Sequence, residues 1–303
     1  MKISKSLVVT FALLLLAAFV VAQQSKPGFT VTHPKAPKAT ETDTYGINNS
    51  GVIAGDYVDA AGLQHGMTLK GSTLVTFDHP GCSTAPATGT AGYGINTAGL
   101  VAGWCASSST GNDIAFVWSP ATKKFVDLKV PGAVSAQATG INDKGQVAGL
   151  YFDAKGAEHG FFYDGKKYTK LDVAGAVATA AWDVNNSGLV TVYTLVSAGG
   201  ASMDSYLYTS TTKKYVKIDV PGATTTTVHA INSKGDIDYT VFDSANNRHG
   251  VLYIAKTKVF YTFDDPAGKN ATRADGLNDT LVLVGRSSPA AGNSVGFQAA
   301  FHP

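Results

Sequence analysis

The chain has 303 residues, 24 Lys and Arg against 22 Asp and Glu, and only 15% charged residues beside 33 Gly. Charge this sparse and balanced leaves no concentrated cationic surface, which excludes nucleic acid and an anionic membrane as expected partners. Abundant Gly, Ser, Thr, Ala and Val, with no long helical periodicity after residue 22, argues against helical or disordered chains and for an all-β fold.

The chain opens with a predicted signal peptide over residues 1–22. Lys2 and Lys5 form a short basic start, residues 7–21 are an apolar run, and Val20-Val21-Ala22 is an acceptable cleavage site. No Cys follows, so no lipoprotein anchor is expected. The leader carries two of the basic residues and none of the acidic ones, so the mature chain is neutral, 22 against 22. No later apolar run spans a bilayer. An exported bacterial protein, secreted or periplasmic, is the expectation.

The next segment, FTVTHP (29–34), alternates like a strand but has no sequence neighbour to pair with. Internal repeats explain it. One phrase recurs as YGIN (45–48), YGIN (93–96), TGIN (139–142), WDVN (182–185), HAIN (229–232) and DGLN (275–278). The Asn-to-Asn steps are 48, 46, 43, 47 and 46 residues, close to the length of a four-stranded propeller blade. The third repeat divides into four β runs, 138–142, 146–153, 159–165 and 168–175, separated by Gly-rich turns. The sixth has three runs, 274–278, 280–287 and 295–301, and then the chain ends. FTVTHP is the missing fourth strand. The predicted fold is therefore a six-bladed β-propeller, one domain over 29–303, in which 29–34 is the outer strand of blade 6. An open β-solenoid, which predicts an end cap instead, is the competing reading.

GINDKGQVAG (140–149) and GINTAGLVAG (94–103), followed by HGFFY (159–163) or IAFVW (114–118), resemble the extracellular repeat family named for a His-Ala-Phe (HAF) motif. This chain has His-Gly where the family name has His-Ala, and Ile114, Ser205 and Val295 replace the His in blades 2, 4 and 6. The resemblance implies secretion and a repeat fold. It implies no established reaction and so supplies no catalytic residues.

Positions that recur in every repeat are read as scaffold. Asn48, Asn96, Asn142, Asn185, Asn232 and Asn278 open turns, five of them as Asn-x-x-Gly, and no glycan is expected there. Asp59 and His65, Asp153 and His159, and Asp243 and His249 are each six apart across a hairpin. Two ligands per blade are too few for a metal, so these are read as structural pairs. Asp78, Asp172, Asp219 and Asp264 are read as solvated strand-end carboxylates, with no dense calcium-loop series among them. Trp104 and Trp118 are assigned to packing between blades. Cys82 and Cys105, with 22 residues between them, fall on one rim and are expected to form a disulfide in an oxidising compartment, worth about 3 kcal/mol of loop entropy.

The ligand-facing candidates are the inner-strand positions that do not repeat. They are Tyr45, Tyr93, Thr139, Trp182, His229 and Asp275, and two residues earlier Asp43, Ala91, Gln137, Ala180, Thr227 and Arg273. They are expected to enter the central channel from the rim that carries both Cys. Aromatic planes with a few polar groups suit a sugar or small polar ligand, although plugging the channel would also explain them. Adjacent inner strands place His229 near Asp275, a possible acid–base pair, and Arg273 near Asp43, a possible ion pair. The function expected is a secreted, monomeric, non-enzymatic protein, without cofactor or metal, that binds a glycan, small polar ligand or cell-surface protein. Tyr45, Tyr93, Trp182, His229, Arg273 and Asp275 would hold the ligand. The alternatives are an extracytoplasmic lyase or hydrolase, with His229 oriented by Asp275, and a mainly structural surface protein. No GxSxG, HExxH or CxxC raises the enzymatic reading.

Overall fold

The structure, a computed structural model, describes residues 27–85, 88–197, 202–268, 271–288 and 293–303. The expected leader, 1–22, lies outside these residues. Among the described residues, twenty-four strands form six antiparallel blades of four. Blade 3 runs Ala133–Ile141, Val147–Asp153, Glu158–Tyr163 and Tyr168–Leu171 in that order. Its first strand begins five residues earlier than the sequence suggests. One parallel bridge, Thr42 to Val295, joins the sheets of blades 1 and 6. The first strands of successive blades, and of the sixth and the first, lie side by side around an axis.

The amino terminus closes the ring. Gly28–Thr32 pairs antiparallel with Val295–His302, with Phe29 opposite Phe301 and Val31 opposite Ala299. Phe29 stacks on Phe263 of blade 5 at 4.6 Å and lies 5.1 Å from Phe301. His33, just past the strand, bonds Asp265 at 2.8 Å. Asp265 is fully buried and also accepts from Ser287 Oγ at 2.6 Å. The borrowed strand is thus held by ladder bonds, aromatic packing and a carboxylate in the blade 5–6 connection.

Between blades, the hydrophobic clusters are built from β-branched and aromatic residues of facing sheets. Trp118 stacks on Phe77 of blade 1 at 4.3 Å, as packing between blades requires. Cys82 and Cys105 form the disulfide, with Cα atoms 5.8 Å apart, and tie the end of blade 1 to the second strand of blade 2. No helix among the described residues is long and apolar enough to cross a membrane.

Candidate functional site at the propeller axis

The six repeated Asn residues do more than open turns. Each Oδ1 accepts a backbone N–H four residues on, and in five blades also the one two residues on. Each Nδ2 donates to the carbonyl of the corresponding Asn in the next blade, at 2.9–3.2 Å. The last of these runs from Asn278 to Asn48, so the hydrogen-bonded ring is complete.

Just before each Asn, the inner strand carries a β-bulge. Pairing with the second strand skips Tyr45 in blade 1, Tyr93 in blade 2, Thr139 in blade 3 and Asp275 in blade 6. In blades 4 and 5 it skips two residues, Trp182 with Asp183 and His229 with Ala230. A bulge re-aims the extra side chain, and here the extra residue is the non-repeating one in every blade. In four blades Gly follows the bulge, because the inner strands approach too closely for a side chain. A Cβ on Gly94 would meet Gly140 Cα at 2.7 Å, and one on Gly276 would meet the Tyr45 carbonyl at 2.5 Å.

Above these bulges lies an axial funnel of about 690 Å³, its open mouth included, lined by Tyr45, Tyr93, Thr139, Trp182, Asp275 and the Asn collar. It opens at the turns between first and second strands. Cys82 follows a fourth strand and Cys105 lies near the end of a second strand, so the disulfide lies on the opposite rim. The expectation of a shared rim is therefore corrected. Each bulge residue stands only three positions before its Asn, and an antiparallel meander puts the Cys at the other end.

The floor is aromatic. Tyr45 stacks on Tyr93 with centroids 4.1 Å apart, and Tyr93 meets Trp182 edge-on at 5.8 Å. Arg273 lies over Trp182 at 5.3 Å and Arg286 over Tyr45 at 4.9 Å. The ion pairs differ from the sequence expectation. Arg273 Nε donates to Asp275 Oδ1 on its own strand at 2.6 Å, and Arg286 reaches Asp43 at 3.4 Å and the Tyr45 hydroxyl. Arg273 and Asp43 do not pair, because Arg286 on the second strand of blade 6 takes the carboxylate.

His229 makes no hydrogen bond to Asp275. Its Nδ1 has no partner within the protein, and its ring lies edge-on to Trp182 at 5.1 Å. Burial, then Arg273 and Arg286, hold its pKa well below the ordinary value, so the imidazole is neutral. The funnel lining takes Ala230 and Ile231 from this strand rather than His229 itself.

Several axial residues escaped sequence reasoning. Asp56, Trp104, Tyr193 and Arg286 occupy one position of the second strand, opposite the residues two before the bulge. That position also fails to repeat, which is the signal that marks it. Trp104 is accordingly an axial residue, 6.3 Å from Tyr93, rather than packing between blades. Asp183 and Asp238 support the two wide bulges. Asp183 accepts from Val184 N and Ile231 N at 2.8 and 3.0 Å, and Asp238 accepts from Ala230 N. Burial pushes Asp183 up to about 6. Burial and then Asp43 push Asp56 up to about 7. Among the described residues, seven buried side-chain polar atoms lack a hydrogen-bond partner within the protein. Six surround the axis, on Asp43, Asp56, Trp104, His229, Asp238 and Asp275.

The His-Gly sites are carboxylate clamps. His65, His159 and His249 lie 3.5 Å from Asp59, Asp153 and Asp243. Their Nδ1 atoms also bond Asp78, Asp172 and Asp264 at 2.8–3.0 Å. Those three strand-end carboxylates are therefore structural partners rather than merely solvated. Asp219 instead lies 3.9 Å from Lys217.

No family model matches the sequence, and no curated protein matches it. Solved structures do match. TolB from Acinetobacter baumannii is 12% identical with a TM-score of 0.58, covering 83% of this chain, while this chain spans 64% of that one. Aleuria aurantia lectin in complex with Fucalpha1-6GlcNAc is 11% identical with a TM-score of 0.52, covering 87% of this chain and 95% of the lectin. AofleA from Arthrobotrys oligospora is 12% identical with a TM-score of 0.53, covering 89% of this chain and 86% of that one. At such identities the likeness establishes the shared β-propeller fold.

Proposed function

We propose that the protein is an exported binding propeller of the HAF-repeat type, a single domain over 29–303 behind a cleaved leader, that takes a neutral sugar in its axial funnel. The observation that carries this reading is the bulge repeated in six blades, which brings non-repeating residues from five of them, Tyr45, Tyr93, Thr139, Trp182 and Asp275, to one axial funnel. Structural repeats have no packing reason to vary there. The half-buried Tyr93 ring, backed by Tyr45 and beside Trp182, offers apolar surface to a sugar ring. Arg273 and Arg286 are each matched by a carboxylate, so the floor favours a neutral ligand over an anion. The lectin complexed with Fucalpha1-6GlcNAc shows that this fold class holds sugars.

Binding is favoured over lyase or hydrolase chemistry by His229. His229 makes no hydrogen bond to Asp275 and is not among the residues that line the funnel, so it is not placed to exchange a proton with a ligand there. The test is thermal unfolding of the mature chain against a panel of neutral sugars, sugar acids and divalent metals. A neutral sugar is expected to raise the midpoint by mass action, and Trp182→Ala is expected to abolish the rise. A response to sugar acids alone would overturn the neutral-ligand reading, and no response to any sugar would overturn the funnel.

A further inference from the structure

Four side chains converge away from the axis. His79 stands where blades 2, 3 and 4 hold Val130, Val173 and Val220, blade 5 holds Asp265, and the borrowed strand of blade 6 holds His33. Asp127 stands where blades 1, 3, 4 and 5 hold Thr76, Lys170, Lys217 and Thr262. Cys82 and Cys105 are the two Cys of the chain. A ring nitrogen of His79 and both sulfurs lie within 4.8 Å of one another, and all three residues are buried. His79 Nε2 bonds Asp127 Oδ1 at 2.9 Å, while Nδ1 accepts the Gly81 N–H at 3.1 Å. The ring is fixed between Phe116, stacked at 5.6 Å, and Phe125, edge-on at 4.8 Å.

This is a three-ligand set with a supporting shell. Metal-binding histidines donate their far N–H to a carboxylate, which sets ring orientation and raises basicity. Asp127 is in place to do that for His79. Two thiolates and an imidazole suit soft cations. We propose that, once the disulfide is reduced, Cys82, Cys105 and His79 form a site for a soft d10 cation, zinc(II) or copper(I). A dithiol supplies two electrons and two protons to the S–S bond and becomes a disulfide itself. The cation then displaces both thiol protons and takes the lone pair of His79 Nδ1, breaking its hydrogen bond from the Gly81 N–H. Three protein ligands satisfy copper(I) and leave zinc a fourth position for water. The oxidised pair fastens blade 1 to blade 2, and the reduced pair fastens them through the metal. The proposal is independent of the axial funnel.

The test uses the mature chain, oxidised or reduced with a dithiol and desalted without air. Zinc alone, and copper(I) alone, are titrated against a chromogenic chelator while circular dichroism follows the fold. One equivalent of at least one cation is expected per reduced chain and none per oxidised chain. His79→Gln is expected to weaken binding at least tenfold, and Asp127→Asn by roughly 10–100-fold. If reduction alone unfolds the chain, addition of the cation is expected to restore the fold. The proposal is overturned if the reduced chain neither takes up a stoichiometric cation nor refolds with one. It is also overturned if His79→Gln binds as tightly as the native sequence.

Discussion

The side-chain amide of Asn278 donates to the backbone carbonyl of Asn48 at 3.2 Å, across the join between the last blade and the first. Five equivalent bonds link the other blades, so the same residue type shapes each turn and fastens each blade to the next. Each Asn therefore fills three or four hydrogen-bonding roles in a buried collar. Asn185→Ala strips partners from Ser187 N and Leu189 N and from the Asn232 carbonyl. The expected cost is about 2–4 kcal/mol, from desolvated groups left unpaired. Asn185→Asp keeps the acceptor and loses the donor, and its cost is expected to be smaller. Urea unfolding of both variants measures the difference, and equal stability of all three proteins would remove the collar's structural role.

Ring closure makes a second prediction. Without residues 23–34, blade 6 has three strands, and Phe301 and Phe263 lose the cover of Phe29. An exposed strand edge beside bared aromatics invites aggregation. The truncated chain is expected to aggregate or lose its cooperative transition. The milder Phe29→Ala, at a half-buried position, is expected to cost about 1–2 kcal/mol of burial. Size-exclusion chromatography and thermal unfolding read the two outcomes.

Asp56 makes a prediction about pH. Its carboxyl is raised from 3.8 to about 7 by burial and by Asp43. The folded state thus holds a proton that the unfolded state releases. Its stabilising contribution is complete below the unfolded value near 4 and is lost as pH rises through about 7. Asp56→Asn, which cannot ionise, is expected to gain stability relative to the native sequence as pH climbs from 5 to 8. Other groups move both proteins alike, including the buried neutral His229 with its opposite trend, so the difference between the two proteins is the diagnostic. A difference that stays flat over that range would show that Asp56 is ionised throughout.

The sequence made most of the architecture legible, and the reason is physical. Each blade packs on a near copy of itself, so the chemistry of one turn recurs as Asn-x-x-Gly, and the absent fourth strand of blade 6 stands out against five complete blades. The axial site was only partly legible. Tyr45 and its counterparts were found because they vary where neighbours repeat. Their rim differs from the expected one because each lies near the end of a first strand, beside the Asn collar, whereas the Cys lie where second and fourth strands end. Arg286 was missed as the partner of Asp43 because it comes from the second strand, through a cross-strand pairing that inner-strand reasoning does not reach. Asp183 and Asp238 were missed for a related reason: they satisfy backbone groups freed by the wider bulges of blades 4 and 5, a need that exists only once the bulges form.

The axial funnel is tested most directly by binding of the mature protein to an array of immobilised neutral glycans, run in parallel with Trp182→Ala. Trp182 lines the funnel and packs edge-on against Tyr93, so its removal takes away apolar surface there. The expected result is retention of one or a few related glycans by the native sequence and loss of that binding in Trp182→Ala, with the variant still folded. Binding that survives in Trp182→Ala would place the sugar elsewhere on the propeller, and an array with no glycan retained by the native sequence would contradict sugar binding altogether.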